Sequence, residues 1–379
     1  MSTSTPTVEL EPAIRVSTLE LFFDLVFVFT ITQLTAALAN DLTWHGLLHV
    51  LVMLGVIWWM YGGYAWLTNA VAPTSSLRRG LLITGMGGFL VIALAVPDAF
   101  GGSGWAFGVA YMVVNAVHTG LFLLAGGRRA AGALAWLGPL NATSAGLVLA
   151  GGLAPQSWRY ACWTSALALQ IASPYLHPIG GFTIGPAHFV ERHGLVVIVA
   201  LGESVVAIGV GAAGHRLDVG LVAVAVLGLL LAYLLWWAYF GAGEDERAEH
   251  SLNAIVDPNR RARKALEAFG YAHYPLLLGI VALAAGVKKA IGHLGEPLPL
   301  GPALALGGGV ALFLGADAAF RRILAIGRAR YRVAGAVLAL ATVQLAGLAA
   351  WAQLAALVLT LTVVAAVERR LSTAGLAPA

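Results

Sequence analysis

LELFFDLVFVFTITQLTAAL, residues 19–38, is apolar and long enough to cross a bilayer as a helix, yet it carries Glu20 and Asp24 near its start. About 20 consecutive apolar residues span the hydrocarbon core of a membrane. A carboxylate inside such a helix is costly unless a partner, water or an ion compensates it, so intramembrane acids are read as functional positions. Positions four apart lie on one face of a helix, so both acids point the same way. That face is where function is sought.

The rest of the chain is of the same kind. Of 379 residues, 59% are hydrophobic and 11% charged, and the mean hydropathy is +0.84. That is the composition of an integral membrane protein and excludes a water-soluble domain of this length. Long apolar runs punctuated by Gly and Pro, without strict alternation of apolar and polar residues, indicate an all-α bundle and not a β-barrel. Met1 to Ile14 carries Glu9 and Glu11 and no basic residue before Arg15. It lacks the positive n-region of a signal peptide, so the first apolar segment is expected in the mature protein. The single cysteine, Cys162, rules out an internal disulfide or a cysteine-based metal cage and reads as a small apolar filler.

At about 20 residues per crossing, twelve spans are expected near 17–40, 45–68, 78–97, 104–126, 131–153, 158–176, 190–213, 219–242, 265–288, 301–319, 331–350 and 351–367. The basic residues test that division. With these spans, 18 of the 22 fall on one side, and only Arg159, Arg216, Lys288 and Lys289 on the other. The positive-inside rule makes the rich side cytoplasmic and puts both termini there, in the cytoplasmic (inner) membrane. The net charge of +4 is then an orientation signal and an attraction to anionic headgroups of the lipid bilayer. No basic and aromatic groove for nucleic acid is evident.

Two halves resemble each other. Ile57-Trp58-Trp59-Met60-Tyr61 ends the second span and Leu235-Trp236-Trp237-Ala238-Tyr239 the eighth, an offset of 178 residues. Asn69-Ala70-Val71-Ala72-Pro73 precedes Arg78-Arg79, as Asn253-Ala254-Ile255-Val256-Asp257-Pro258 precedes Arg260-Arg261. At offset 179, Asp24 falls opposite Glu203 in the seventh span. Six helices is an even number, so residues 1–177 and 178–379 would form two parallel six-helix repeats about an axis along the membrane normal. The aromatic pairs by themselves also suit the interfacial belt.

Glu203 would lie near mid-membrane, and Arg192, eleven residues earlier, on nearly the same helical stripe as part of a charged lining. A protonated, purely structural Glu203 is the alternative. His188, Glu191 and His193 look superficially like a zinc motif, but histidines five apart diverge by about 140° on a helix, so no metal site is expected. His45 and His49 have the right spacing but no third ligand. Asp317 and Arg321 are expected to pair with each other, and His118 and His273 to pack between helices. No phosphate loop, nucleophile elbow or dinucleotide fingerprint is present, which leaves catalytic residues unassigned and the cofactor open.

The run Val16-Ser17-Thr18-Leu19-Glu20-Leu21-Phe22-Phe23-Asp24 through Leu34 resembles the opening signature of the bacterial low temperature requirement protein A family. His188-Phe189-Val190-Glu191-Arg192-His193-Gly194-Leu195 with Ala200-Leu201-Gly202-Glu203-Ser204 resembles its second signature. That family carries a cold-growth phenotype without an assigned reaction. The first span is also similar, more distantly, to the first helix of the endolysosomal potassium-channel family. The resemblance implies two parallel six-helix repeats with the first and seventh helices lining a pore. Thr18 stands where that family's motif has Arg and Phe23 where it has Ser, so selectivity does not carry over.

The leading expectation is therefore an ion- or proton-linked channel or transporter. Asp24, Glu20 and Glu203 would be the ion or proton sites, with Phe22, Phe27, Thr32, Arg192, His188 and His193 lining the path and monovalent cations or protons as partners. A homodimer is left open. The alternatives are an intramembrane enzyme on a lipid or apolar metabolite, and a membrane-adaptation protein without turnover.

Overall fold

A computed structural model describes residues 16–70, 75–176, 184–241, 243–291 and 293–374, with backbone only at 70, 125–134 and 372–374. The opening stretch Met1 to Ile14, residues 71–74 of the first repeated loop and the expected boundary at 177/178 lie outside the described residues.

Among the described residues every regular element is helical. They are α1 (Thr18–Asn40), α2 (Trp44–Ala70), α3 (Ser76–Ala95), α4 (Gly104–Leu153), α5 (Gln156–Leu176), α6 (Pro186–Ala212) and α7 (Val219–Phe240). There follow α8 (Glu244–Asn253), α9 (Pro258–Ala265), α10 (His273–Ala290), α11 (Leu300–Leu324), α12 (Ala329–Ala341) and α13 (Ala350–Ala374). The caps follow from residue chemistry. Ser17 and Glu20 close a reciprocal capping box at the start of α1, while Asp218 and Asp257 accept from the first turns of α7 and α9.

Nine helices among the described residues are long and apolar enough to cross a membrane. Three of the twelve expected spans fall short, each for its own reason. The fifth belongs to α4, which is not one rod: a Cβ on Gly108 would stand 2.7 Å from the Leu149 Cα, and Asn115 Nδ2 donates to the Asn141 carbonyl at 3.3 Å. Residues 104–124 and 135–153 are thus antiparallel arms lying side by side. The sixth, α5, carries Gln156, Arg159, Gln170 and several hydroxyls that dilute its apolar character. The eleventh is broken, because α12 ends at Ala341 and a 3-10 segment occupies Thr342–Gly347.

α10 stands at the centre, with nearly every residue from Leu276 to Val287 buried. A helix apolar on all sides must be enclosed, and α1, α2, α6 and α11 enclose it. Its crossing with α11 is backbone to backbone: a Cβ on Gly279 would meet the Gly309 carbonyl at 2.7 Å, and one on Gly309 would meet Leu283 N at 2.6 Å. Small residues permit that approach in a bundle where lipid supplies no hydrophobic drive between helices.

Between α9 and α10 the chain makes a π segment, Leu266–Ala272. π segments free backbone carbonyls from their ordinary partners, and here side chains take two of them. Trp58 Nε1 donates to the Gly270 carbonyl at 2.8 Å, and His273 Nδ1 donates to that of Ala268 at 2.8 Å. Arg159, one of the four basic residues on the sparse side, is likewise occupied. It is buried and donates to the carbonyls of Ala99 and Gly101 at 2.8 Å and Gly151 at 3.0 Å, closing the end of α4.

Candidate functional site

α1 and α6 pack side by side in the same direction, Glu20 beside His188 and Arg192, and Thr32 beside Glu203. Near their N-terminal ends the two helices and α2 enclose a cluster of charges. Glu20, Asp24 and Arg192 are 3%, 2% and 1% exposed, so each must find its compensation inside the protein.

Arg192 supplies most of it. Its Nη1 donates to Glu20 Oε1 at 2.7 Å and to Thr68 Oγ1 at 3.3 Å, and its Nη2 donates to Asp24 Oδ1 at 3.2 Å. The planar, forked guanidinium joins two carboxylates one helical turn apart, which a lysine could not reproduce. Phe23 and Tyr61 flank it, with the guanidinium carbon 5.6 and 5.8 Å from their ring centres.

Glu20 has two jobs. Oε2 accepts from Ser17 N and Ser17 Oγ, both at 2.8 Å, while Oε1 faces Arg192 and lies 3.2 Å from His188 Nε2. The proton of His188 is fixed by Asn69. Asn69 Nδ2 donates to the Gly185 carbonyl at 3.0 Å, which sets the amide's orientation, and lies 3.1 Å from His188 Nδ1. A donor against Nδ1 makes that nitrogen the acceptor, so Nε2 carries the hydrogen and offers it to Glu20.

Asp24 is the asymmetric member. Oδ1 accepts from both Tyr61 Oη at 2.7 Å and Arg192 Nη2. Oδ2 is buried and receives no hydrogen bond from any described residue. One guanidinium is thus shared between two carboxyl groups, and the oxygen without a donor among the described residues belongs to Asp24.

The other expected site residues divide. Thr32 donates to the Glu203 carboxylate across the α1–α6 seam. Arg192, eleven residues before Glu203 on α6, pairs with Glu20 and Asp24 of the neighbouring helix. Phe27 is buried against Tyr61 with ring centres 4.3 Å apart. Phe22 is a correction: it is 55% exposed, since Phe23, Asp24 and Phe27 turn the opposite side of α1 inward. His193 points away from the charges. Its Nδ1 donates to the Phe189 carbonyl at 2.8 Å, and its ring joins Phe269 and His273 at 5.0 and 5.9 Å. His273 in turn meets the Tyr239 hydroxyl at 2.6 Å.

Tyr61, Thr68 and Asn69 lie outside the expected set. The sequence reads Tyr61 as part of the aromatic repeat or of the interfacial belt, and its reach to Asp24 depends on the α1–α2 packing. One signal was present: Ser17-x-x-Glu20 before an apolar run is a capping box, and it gives Glu20 a structural task in addition to its charge.

A second buried network lies at the C-terminal end of α7. Arg321 pairs with Asp317 at 3.0 Å, as its spacing led one to expect, and also with Glu244 at 2.7 Å. Arg332 pairs with Glu368 at 2.6 Å, and both arginines donate to the Ala238 carbonyl.

Comparison with known sequences places these features in a family. The family model for bacterial low temperature requirement A protein matches residues 15–367, which contain both signatures and every residue of the charge cluster. An uncharacterized protein of Rhizobium meliloti (strain 1021) is 32% identical over 324 residues, covering 80% of this chain and 76% of that protein.

Proposed function

The chain belongs to the bacterial low temperature requirement A family, and on that footing we propose that it is an ion- or proton-linked transporter or channel of the cytoplasmic membrane. The α1–α6 seam is its working element. Asp24 is the position that takes up and releases a proton or a monovalent cation, Arg192 and Tyr61 orient it, and Glu20 with His188 holds the arginine. Glu203 with Thr32 is the next polar station along the same seam, about 12 Å from Asp24 by helical rise.

The observation that carries this proposal is the uncompensated carboxylate. Buried charges in a membrane are ordinarily fully paired, whereas Asp24 Oδ2 is buried without a donor among the described residues while one guanidinium is shared between two carboxyl groups. Parallel packing of α1 and α6 and the doubled-back α4 support twelve crossings in two parallel six-helix repeats. The sidedness of the basic residues supports cytoplasmic termini.

Purified protein in liposomes tests it. Wild-type protein is expected to dissipate an imposed K⁺, Na⁺ or H⁺ gradient, and Asp24→Asn to abolish that flux while keeping the fold. No flux of any of the three ions across a pH range, with no cellular effect of Asp24→Asn, would sink the proposal. One observation favours a second reading, a scaffold without turnover: both oxygens of Glu20 are engaged in capping and pairing. In that case Asp24→Asn would change thermal stability and leave every flux at the level of empty liposomes.

A further inference from the structure

Glu20 and Asp24 stand one helical turn apart on α1 and share Arg192, but their donors are unequal. Four converge on Glu20: Ser17 N and Ser17 Oγ at 2.8 Å, Arg192 Nη1 at 2.7 Å and His188 Nε2 at 3.2 Å. Asp24 receives two, from Tyr61 Oη and Arg192 Nη2, both on Oδ1, and its Oδ2 receives none from any described residue. A proton arriving at Glu20 would have to displace a donor, whereas at Asp24 Oδ2 it displaces nothing. A metal cation is the poorer fit at that oxygen. It needs several oxygen ligands at once, and the Arg192 guanidinium bonded to Oδ1 would repel it.

The inequality depends on the tautomer of His188, which is decided from α2. Asn69, half-buried in the last turn of that helix, is held at both ends of its amide: Nδ2 donates to the Gly185 carbonyl at 3.0 Å, and Oδ1 accepts from Gly185 N at 2.9 Å. Turning the amide over would set oxygen against oxygen and hydrogen against hydrogen. The second Nδ2 hydrogen meets His188 Nδ1 at 3.1 Å, so the imidazole hydrogen is kept on Nε2 and aimed at Glu20. In the other tautomer two N–H groups would face each other at Asn69, and a lone pair would face Glu20, an arrangement that only a protonated Glu20 satisfies. We infer that Asn69, in contact with neither acid, is the positioning residue that keeps the exchanged proton off Glu20 and leaves it to Asp24. The inference rests on the transport reading and narrows what Asp24 takes up to a proton.

Imidazole nitrogen NMR and carboxyl infrared bands of the purified full-length protein test it without any flux measurement. His188, assigned by the signals lost in His188→Gln, is expected to show a bare Nδ1 and a protonated Nε2. Asn69→Asp, which sets an acceptor against Nδ1, is expected to put a hydrogen there. The C=O band of a buried carboxylic acid that appears on acidification is expected to be lost in Asp24→Asn and kept in Glu20→Gln. Asn69→Ala, which removes the donor without adding a charge, is expected to make that band sensitive to Glu20→Gln as well, and it suffices should Asn69→Asp not fold. A hydrogen on Nδ1 in the wild type, the wild-type tautomer in Asn69→Asp, or a band in Asn69→Ala that still depends on Asp24 alone would overturn the role of Asn69 and leave the transport reading standing. A band indifferent to Asp24→Asn would overturn both.

Discussion

Asp24 and Arg192 are where single atoms decide behaviour. Asp24→Asn keeps the shape and the Tyr61 contact and leaves Arg192 matched one to one with Glu20. Its thermal unfolding in detergent is expected to stay within about 1 kcal/mol of wild type. Arg192→Leu leaves two buried carboxylates without their cation and is expected to cost ~3–5 kcal/mol, read as a large fall in the unfolding midpoint. Arg192→Lys would not rescue it, because one ammonium cannot present a fork to two acids. At this scale the sequence was legible in part. The four-residue spacing put Glu20 and Asp24 on one face correctly, since helical periodicity is local. It could not name Arg192 as their partner, because 168 and 172 residues separate the pairs. Only the packing of α1 on α6 brings them together.

Helices are held by different devices along the chain, and each can be tested separately. Ser17→Ala removes the cap of α1 and is expected to destabilise by ~1 kcal/mol, with faster amide exchange confined to the first turn. Gly279→Ala and Gly309→Ala each force a Cβ against the partner backbone at the α10–α11 crossing. An overpacking cost of about 1–3 kcal/mol is expected for each by thermal unfolding, and little more for both together, because one displacement accommodates the two methyls. Apolar length located the spans well where a helix runs uninterrupted. It failed where a largely apolar run changes direction or winding, as at α12, which gives way to a 3-10 segment at Thr342–Gly347. The π segment at Leu266–Ala272 leaves no mark either, since one of its freed carbonyls is taken by Trp58, 212 residues away in the chain.

Among the described residues, two buried networks each join several ion pairs, one at the α1–α6 seam and one joining α7, α8, α11, α12 and α13. Arg332→Ala would leave Asp317, Glu368 and Glu244 crowded around Arg321. The expected result is a loss of ~3–5 kcal/mol and earlier cleavage of α13 in limited proteolysis, with the α1–α6 region protected as before. The capping box at the start of α1 has one more consequence, and it is a matter of linkage. A single carboxylate, that of Glu20, both ends the helix and anchors the arginine that faces Asp24, so unwinding the first turn and loosening Arg192 are one event. Free energy is reciprocal: if occupancy of Asp24 by a proton or cation tightens that turn, then tightening the turn must favour occupancy by the same factor. Whatever grips the chain just ahead of Ser17, whether a neighbouring protein or the membrane surface, would then act as an effector of Asp24 without touching it. Amide exchange at Leu21, whose N–H closes the first turn on the Ser17 carbonyl at 3.1 Å, would report the state of the charge beyond.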